Sequence, residues 1–191
     1  MPIQLLINVK SGAVLRAGVE HCRALVAAHC PDEILEVVGS PGELIAAARA
    51  ATAGTGISKV LLIGGDGTAA AIAGVLAGTG TALVPLPGGT MNMLARDLGY
   101  SGDLETAIRE LDRAGLARID IAYVNDQPFL NNVVFGTFSA AAESREAIRD
   151  AATLAATASA TADFISAVAL SDAQNYDIVI DGVASTCGPI R

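Results

Sequence analysis

Tryptophan is absent from this sequence of 191 residues, and aromatic residues make up only 4% of it. Positive charge is also scarce, because 12 Lys and Arg stand against 20 Asp and Glu, which gives a net charge of −8. General nucleic-acid binding needs Lys and Arg for phosphate contacts and aromatic rings for base stacking. The composition therefore argues against a nucleic-acid partner.

Long uninterrupted apolar segments are missing as well. The longest run without a charged residue, 67–95, contains Pro85, Pro87 and several glycines, which break a membrane-spanning helix. The first residues lack the basic leader of a signal peptide, and the three cysteines cannot all pair with one another. With 52% hydrophobic and 17% charged residues, the composition is not that of a disordered chain. We expect a folded, cytoplasmic protein.

Strands and helices alternate through the first half of the sequence. Short loops between them imply right-handed crossovers and a mostly parallel sheet covered on both faces, which is an α/β fold. We predict strands at residues 4–9, 34–38, 59–63 and 82–86, and helices at residues 14–29, 43–51, 68–76 and 91–98.

The pattern changes near Ile119. A helix at 104–113 is followed by a predicted β-hairpin, a long Ala-rich helical stretch and a final strand that ends at the turn Asp181-Gly182. The predicted hairpin strands are residues 119–124 and 129–135, the helical stretch is 139–170 and the final strand is 176–180. We predict an α/β domain at 1–116 and a partial β-rich domain with a helical insertion at 117–191. Its few strands are expected to leave unpaired edges that favour a homodimer.

A glycine-rich turn follows the third predicted strand. The segment Gly64-Gly65-Asp66-Gly67-Thr68 leads from that strand into an apolar helix. Glycines let a ligand approach the main chain, and a helix N-terminus presents free N–H groups and partial positive charge to a phosphate. Asp66 adds a carboxylate for Mg²⁺ or a hydroxyl group. The plain alternative is a structural turn in which Thr68 caps the helix.

Two further polar turns end neighbouring strands. Asn8 and Ser11-Gly12 follow the first strand, and the segment Pro87-Gly88-Gly89-Thr90-Met91-Asn92 follows the fourth. Ligands of open α/β sheets bind outside the carboxyl ends of the strands, so the three turns predict one nucleotide-binding crevice. The sequence contains no Walker A pattern, which excludes a P-loop NTPase.

These three turns, in this order and spacing, resemble the signature of the diacylglycerol kinase catalytic family, which includes sphingosine kinases and bacterial lipid kinases. Ile119-Asp120-Ile121, Phe129-Leu130-Asn131 and Gly136 are similar to the first strands of that family's second domain. The resemblance implies a phosphofructokinase-like and NAD kinase-like α/β domain followed by a β-sandwich-like domain. It also implies ATP- and Mg²⁺-dependent phosphorylation of a lipid hydroxyl, on a diacylglycerol- or sphingoid-like acceptor, by an enzyme peripheral to the membrane.

The resemblance also implies roles for individual residues. Asp66 and Asp120 match acidic positions of the family's metal-linked network. The positions that match nucleotide contacts are Asn8, Gly64, Gly65, Asp66, Gly67, Thr68, Gly89, Thr90 and Asn92.

Four positions depart from the family pattern. Met93 stands where many bacterial relatives carry Asp, Ser40 stands near a common Thr, and Thr137 and Phe138 stand where an acidic residue is frequent. The family's general base lies in an Asp-Gly-Glu motif, which this sequence lacks, since Asp181-Gly182-Val183 looks like an earlier hairpin turn. We therefore expect the base to be absent from these 191 residues.

Two alternatives remain open at the level of sequence. A catalytically inactive nucleotide- or lipid-binding module would explain Met93 and the missing base. An NAD kinase-like enzyme shares the glycine-rich turn, but it is expected to carry an Asn-Glu pair, which does not occur here.

Overall fold

A four-stranded parallel sheet organises the first half of the chain. The computed structural model describes residues 2–54, 56–100, 102–134, 162, 165 and 174–190. The strands are β1 (Ile3–Asn8), β2 (Ile34–Gly39), β3 (Lys59–Gly64) and β4 (Ala82–Pro87), in the order β2-β1-β3-β4. All three pairings are parallel, so the predicted α/β fold is confirmed.

Helices cover both faces of this sheet. They are α1 (Gly12–Ala17), α2 (Val19–His29), α3 (Pro41–Ala51), α4 (Asp66–Leu76), α5 (Met93–Asp97), α6 (Leu104–Arg109) and a short 3-10 helix, Leu111–Arg113. One face packs on α2 and α6 in a buried cluster that includes Leu5, Ile7, Val26, Ile63 and Ile108. The other face packs on α3 and α4 in a cluster that includes Leu6, Leu44, Leu62 and Ile72. Burial on both faces explains why the centres of β1 and β3, Leu5–Ile7 and Val60–Ile63, are continuously apolar.

A glycine divides the helix predicted at residues 14–29. α1 ends at Ala17 and α2 begins at Val19, while Gly18 between them has φ 84° and ψ 151°. Glycine adopts a positive φ without the steric cost that a Cβ would impose. The prediction of one continuous helix was therefore wrong at Gly18, because apolar spacing carries no information about this local break.

Strand β4 is an edge strand whose outer side has few hydrogen-bond donors. The Ala82 N–H donates to the Ser58 carbonyl at 2.9 Å, and the Gly88 N–H donates to the Gly64 carbonyl at 3.0 Å. In a parallel ladder, the main-chain N–H and C=O groups of successive residues point alternately to the two sides of the strand. The groups of residues 83, 85 and 87 therefore point away from β3. Two of these are prolines, which have no N–H and are tolerated in a sheet at such edge positions.

The hairpin predicted after Ile119 is present, but its strands and its turn are shorter than predicted. Strands β5 (Ala122–Val124) and β6 (Gln127–Phe129) pair antiparallel around a two-residue turn. The turn residues Asn125 and Asp126 have φ of 46° and 63°, as in a type I′ turn. The predicted four-residue turn and the predicted strand beyond Phe129 were wrong, because the proline taken as a turn residue lies within β6.

Two compact units divide the chain, Met1–Asn132 and Val133–Arg191. The β5–β6 hairpin belongs to the first unit, whereas the predicted boundary after Leu116 assigned it to the second; the domain boundary itself stays a prediction. In the second unit, β7 (Gln174–Ile180) and β8 (Val183–Ile190) pair antiparallel, which confirms Asp181-Gly182 as a hairpin turn. Most of the predicted helical stretch 139–170 lies outside the described residues.

The β5–β6 hairpin rests on α4 at a glycine. A Cβ atom added to Gly74 would lie 2.6 Å from Cγ of Pro128 and 2.9 Å from its Cβ. Real Cβ atoms do not approach a neighbour so closely, and a proline ring cannot rotate away. Gly74 is therefore needed for the contact between α4 and β6.

We expect Gly74→Ala to lower the free energy of unfolding by about 1–2 kcal/mol, because overpacking against the proline ring outweighs the better helix propensity of alanine. Urea denaturation measures the change. In a Pro128→Gly background the same substitution is expected to be neutral or to stabilise by up to about 1 kcal/mol, since both the ring and its Cβ are gone. Equal effects in both backgrounds would contradict the contact.

Candidate functional site

The three polar turns meet at the carboxyl edge of the sheet. The turn after β1 is joined to the turn after β4 by a hydrogen bond from the Ala13 N–H to the Gly88 carbonyl, at 2.9 Å. It is joined to α4 by a bond from Asn8 Nδ2 to Thr68 Oγ1, at 3.1 Å. The structure thus brings together the three segments that the sequence selected.

Glycines allow the turns after β3 and β4 to touch main chain against main chain. A Cβ on Gly88 would lie 2.6 Å from the Gly64 nitrogen, and a Cβ on Gly89 would lie 2.6 Å from Cα of Gly65. Gly88 and Gly89 must therefore lack a Cβ for this packing, and Gly64 and Gly65 provide the main chain that they contact. Gly67 differs, because a Cβ at that position would meet nothing within 4 Å.

The N-terminus of α4 opens at this junction. Its N-cap residue is Gly65, which has no side chain to cap it, and the first intrahelical bond runs from the Ala69 N–H to the Gly65 carbonyl. The preceding N–H groups have no intrahelical partner. The alternative in which Thr68 caps the helix is wrong, because Thr68 lies in its first turn and is buried.

Asp66 joins α4 to α5. Its Oδ1 accepts a hydrogen bond from the Leu94 N–H at 3.1 Å, in the first turn of α5. The N-cap residue of α5, Asn92, makes no side-chain cap of its own. A carboxylate at a helix N-terminus is favoured by the helix dipole, so Asp66 stabilises the position of α5.

Asn92 closes the turn that precedes α5. Its Oδ1 accepts from the Gly89 N–H at 2.7 Å, and its Nδ2 donates to the Gly89 carbonyl at 3.1 Å. Its backbone is left-handed, with φ 50° and ψ 45°, a conformation that asparagine tolerates better than most residues. Both polar ends of this side chain are therefore occupied by one residue of the same loop.

Asn8 is likewise engaged within the protein. It is only 6% exposed, and its Oδ1 accepts from the Lys10 N–H at 2.9 Å while its Nδ2 reaches Thr68. Among the predicted nucleotide contacts, Gly67 and Thr90 are exposed. The exposed members of the predicted set thus lie at the start of α4 and in the turn after β4.

Asp120 is the predicted site residue that the structure does not bring to the others. It is exposed in the segment between the 3-10 helix and β5. Within the described residues there is no group of three or more His, Cys, Asp or Glu side chains suited to a metal ion. Asp66 alone provides a carboxylate at the crevice, and its pairing with Asp120 stays a prediction.

Two cations on the elements that carry the turns were not among the predicted site residues. Lys10 and Arg96 are both exposed, one on the turn after β1 and the other on α5. Neither forms a salt bridge with another described residue. Arg96 ends the motif that begins at Pro87, and Lys10 lies between Asn8 and Ser11, but the prediction gave neither residue a role.

Ser40, the departure after strand two, begins α3. Its N–H and its hydroxyl donate to Oε2 of Glu43 at 2.8 and 2.7 Å, which is half of a capping box. The backbone hydrogen bond, with the hydroxyl bond second, holds the pKa of Glu43 below its ordinary value. Ser40 therefore serves a helix start in this chain.

Residues 2–124 match the family of diacylglycerol kinase catalytic domains, over more than half of the chain. The chain belongs to the diacylglycerol kinase catalytic-domain family. The crystal structure of a diacylglycerol kinase from Bacillus anthracis superposes with a TM-score of 0.65 and 22% sequence identity. The superposition covers 97% of this chain and 61% of the Bacillus chain. The fold is thus shared with a solved member of that class.

Two relatives share parts of the sequence. A protein of Cronobacter sakazakii described as a probable lipid kinase, YegS-like, is 39% identical over 87 residues, which are 44% of this chain and 29% of that protein. An uncharacterised protein of Synechocystis is 29% identical over 147 residues, 67% of this chain and 34% of that protein. The chain therefore spans about a third of the length of these relatives. None of the helices in the described part of the chain has the length and apolar character needed to cross a bilayer.

The bond from Asp66 to Leu94 predicts different effects for two substitutions. Asp66→Ala removes the acceptor and is expected to cost about 1 kcal/mol of unfolding free energy, as the loss of a helix cap does. Asp66→Asn keeps an amide oxygen in the same place and is expected to cost less. Urea denaturation of both variants measures this.

Asp103 provides the matched control, because it caps α6 through the Thr106 N–H at 2.9 Å, outside the crevice. Asp103→Ala and Asp103→Asn should show the same order of stability. An Asp66→Ala variant as stable as the wild type would show that the bond to Leu94 contributes nothing.

Proposed function

We propose that this chain binds ATP with Mg²⁺ in the crevice and provides the nucleotide-binding part of a lipid kinase. The acceptor is the hydroxyl of a diacylglycerol- or sphingoid-like lipid at a membrane surface, and the enzyme is cytoplasmic and peripheral to that membrane. The observation that carries the proposal is the uncapped N-terminus of α4, which faces open space at Gly67 in a chain of the diacylglycerol kinase family.

The electrostatics of the crevice suit a polyphosphate. The first turn of α4 presents N–H groups and the positive end of the helix dipole. Lys10, on the turn after β1, and Arg96, on α5, are exposed cations on two of the elements that form the crevice. In a chain with a net charge of −8, such local positive charge favours a bound anion at this place over the rest of the surface.

Asp66 provides one carboxylate for a magnesium ion at the crevice. Mg²⁺ in nucleotide sites is usually held by one or two carboxylates together with substrate phosphates and water. Asp66 fits the role of one such carboxylate, because Leu94 engages only its Oδ1. Bound there, the ion would neutralise charge on the phosphates, and the main chain of α4 would orient them.

The proposed reaction is a phosphoryl transfer. The lipid hydroxyl oxygen bonds to the γ-phosphorus, the bond from that phosphorus to the β–γ bridging oxygen breaks, and ADP leaves. Positioning and charge neutralisation provide most of the catalysis in such reactions. The hydroxyl proton must pass to a base, and we infer that this base is supplied from outside these 191 residues, since no Asp-Gly-Glu motif occurs among them.

A non-catalytic nucleotide- or lipid-binding module is the second candidate. Met93 stands in the first turn of α5, where many bacterial relatives carry Asp. With one oxygen of Asp66 engaged by Leu94, the described crevice has little carboxylate left for metal. Nucleotide binding without phosphorylation, even when the acceptor domain of a longer relative is attached, would favour this candidate.

Gly67→Val is expected to weaken ATP binding at least about tenfold, because a branched side chain would cover the N–H groups of α4. The fold should be unaffected, since the position is open and its φ is not positive. Calorimetric titration of the protein with ATP, in the presence of excess Mg²⁺, measures the affinity.

Gly42→Val is the matched control. Gly42 is the second residue of α3, as Gly67 is of α4, and it also has open space around it. Its substitution should leave ATP affinity unchanged. Equal affinity of the Gly67 variant and the wild type would place the nucleotide elsewhere.

We also expect the 191-residue chain alone to phosphorylate lipid slowly and to self-associate. ATP-dependent phosphorylation of diacylglycerol and of sphingosine in mixed micelles, beside a longer family member, measures turnover, and light scattering measures the oligomeric state. Rapid phosphorylation by a monomer of this chain would show that the base lies within it, with Asp120 and Asp181 the first residues to test.

A further inference from the structure

We propose that Asn92 is a positioning residue, which shapes the nucleotide crevice by holding Gly89. The inference rests on the proposed function, because it concerns the same crevice. It gives this side chain a role besides the direct nucleotide contact that the family resemblance implies.

The hydrogen bonds of Asn92 are the first step in the argument. The carbonyl oxygen of the Asn92 side chain accepts from the Gly89 N–H at 2.7 Å, and its amide donates to the Gly89 carbonyl at 3.1 Å. The two bonds close a ring between residues 89 and 92. The amide keeps a second N–H and the oxygen a second lone pair, so the ring fixes Gly89 whether or not a ligand is bound.

The position of Gly89 is the second step. Its Cα lies so close to Gly65 that a Cβ on Gly89 would fall 2.6 Å from Cα of Gly65 and 3.1 Å from Oδ1 of Asn92. Gly65 is the N-cap residue of α4. By holding Gly89, Asn92 therefore fixes main chain directly against the start of the helix that faces the proposed phosphates.

A second connection links the start of α4 to the start of α5. Asn92 is the N-cap residue of α5, and Asp66, next to Gly65, bonds to the Leu94 N–H of the same helix. The two helix starts are thus held at two points, one through the Asn92–Gly89 ring and one through Asp66. Loss of the ring leaves the Asp66 bond and the main-chain bond from the Gly88 N–H to the Gly64 carbonyl, and it frees the loop at Gly89.

The left-handed backbone of Asn92 makes a clean substitution available. Glycine adopts φ of 50° without strain, so Asn92→Gly removes both side-chain hydrogen bonds and keeps the backbone conformation. Asn92→Asp keeps the acceptor for the Gly89 N–H and loses the donor. Asn125→Gly is the matched control, because Asn125 has φ of 46° in the β5–β6 turn, outside the crevice.

Amide hydrogen exchange of the nucleotide-free protein is the decisive measurement. We expect the Gly89 N–H to exchange about tenfold faster in Asn92→Gly, as loss of hydrogen bonds of ordinary strength implies, and to remain largely protected in Asn92→Asp. ATP affinity of Asn92→Gly should fall about tenfold. Asn125→Gly should leave both the exchange of the Gly89 N–H and the ATP affinity unchanged.

Each other outcome is decisive. Weaker ATP binding with unchanged exchange at Gly89 would show a direct nucleotide contact and overturn the inference. Faster exchange with unchanged ATP affinity would show that the ring does not serve the crevice, which also overturns it. Absence of ATP binding by the wild-type chain would overturn the proposed function, and that result is visible before any variant is compared.

Discussion

The crevice depends on the close approach of two main-chain segments, Gly64-Gly65 and Gly88-Gly89. Any side chain on Gly88 or Gly89 would overlap the neighbouring strand end, so the turns after β3 and β4 can meet only as glycines. Their contact sets the distance between α4 and α5. The hydrogen bonds of Asp66 and Asn92 then hold the two helices at that distance. Removing the glycine contact would therefore disturb the predicted binding residues of both turns, those after β3 and those after β4.

The sheet and its turns could be predicted from the sequence, because each strand of the first half is a short, mainly apolar run that leads into a turn containing glycine. The ends of parallel strands must share one edge, so the convergence of three turns followed from the alternation of elements alone. Gly18 and the type I′ turn at Asn125-Asp126 were missed. In both cases the deciding property is a positive φ, which apolar periodicity does not reveal.

Individual side-chain roles were harder to predict than the location of the crevice. Asn8 and Asn92 matched positions of nucleotide contacts, yet in the structure their amides bond to Thr68 and Gly89. The partner of Asp66 is the N–H of Leu94, a main-chain atom that every residue except proline carries. No residue pattern marks such a partner, because its identity depends on where the chain returns in three dimensions.

The prolines of β4 affect how readily this strand could pair with a strand of another molecule during synthesis. The outer side of this strand presents three carbonyl groups and a single N–H, from Leu83. A strand of another molecule placed beside it would find acceptors without the donors that an ordered ladder requires. While the nascent chain waits for α5 and α6 to emerge, its newest strand is thus a poor template for intermolecular pairing. The first unit carries its own protection against aggregation on that side, and this protection does not depend on the residues after β4.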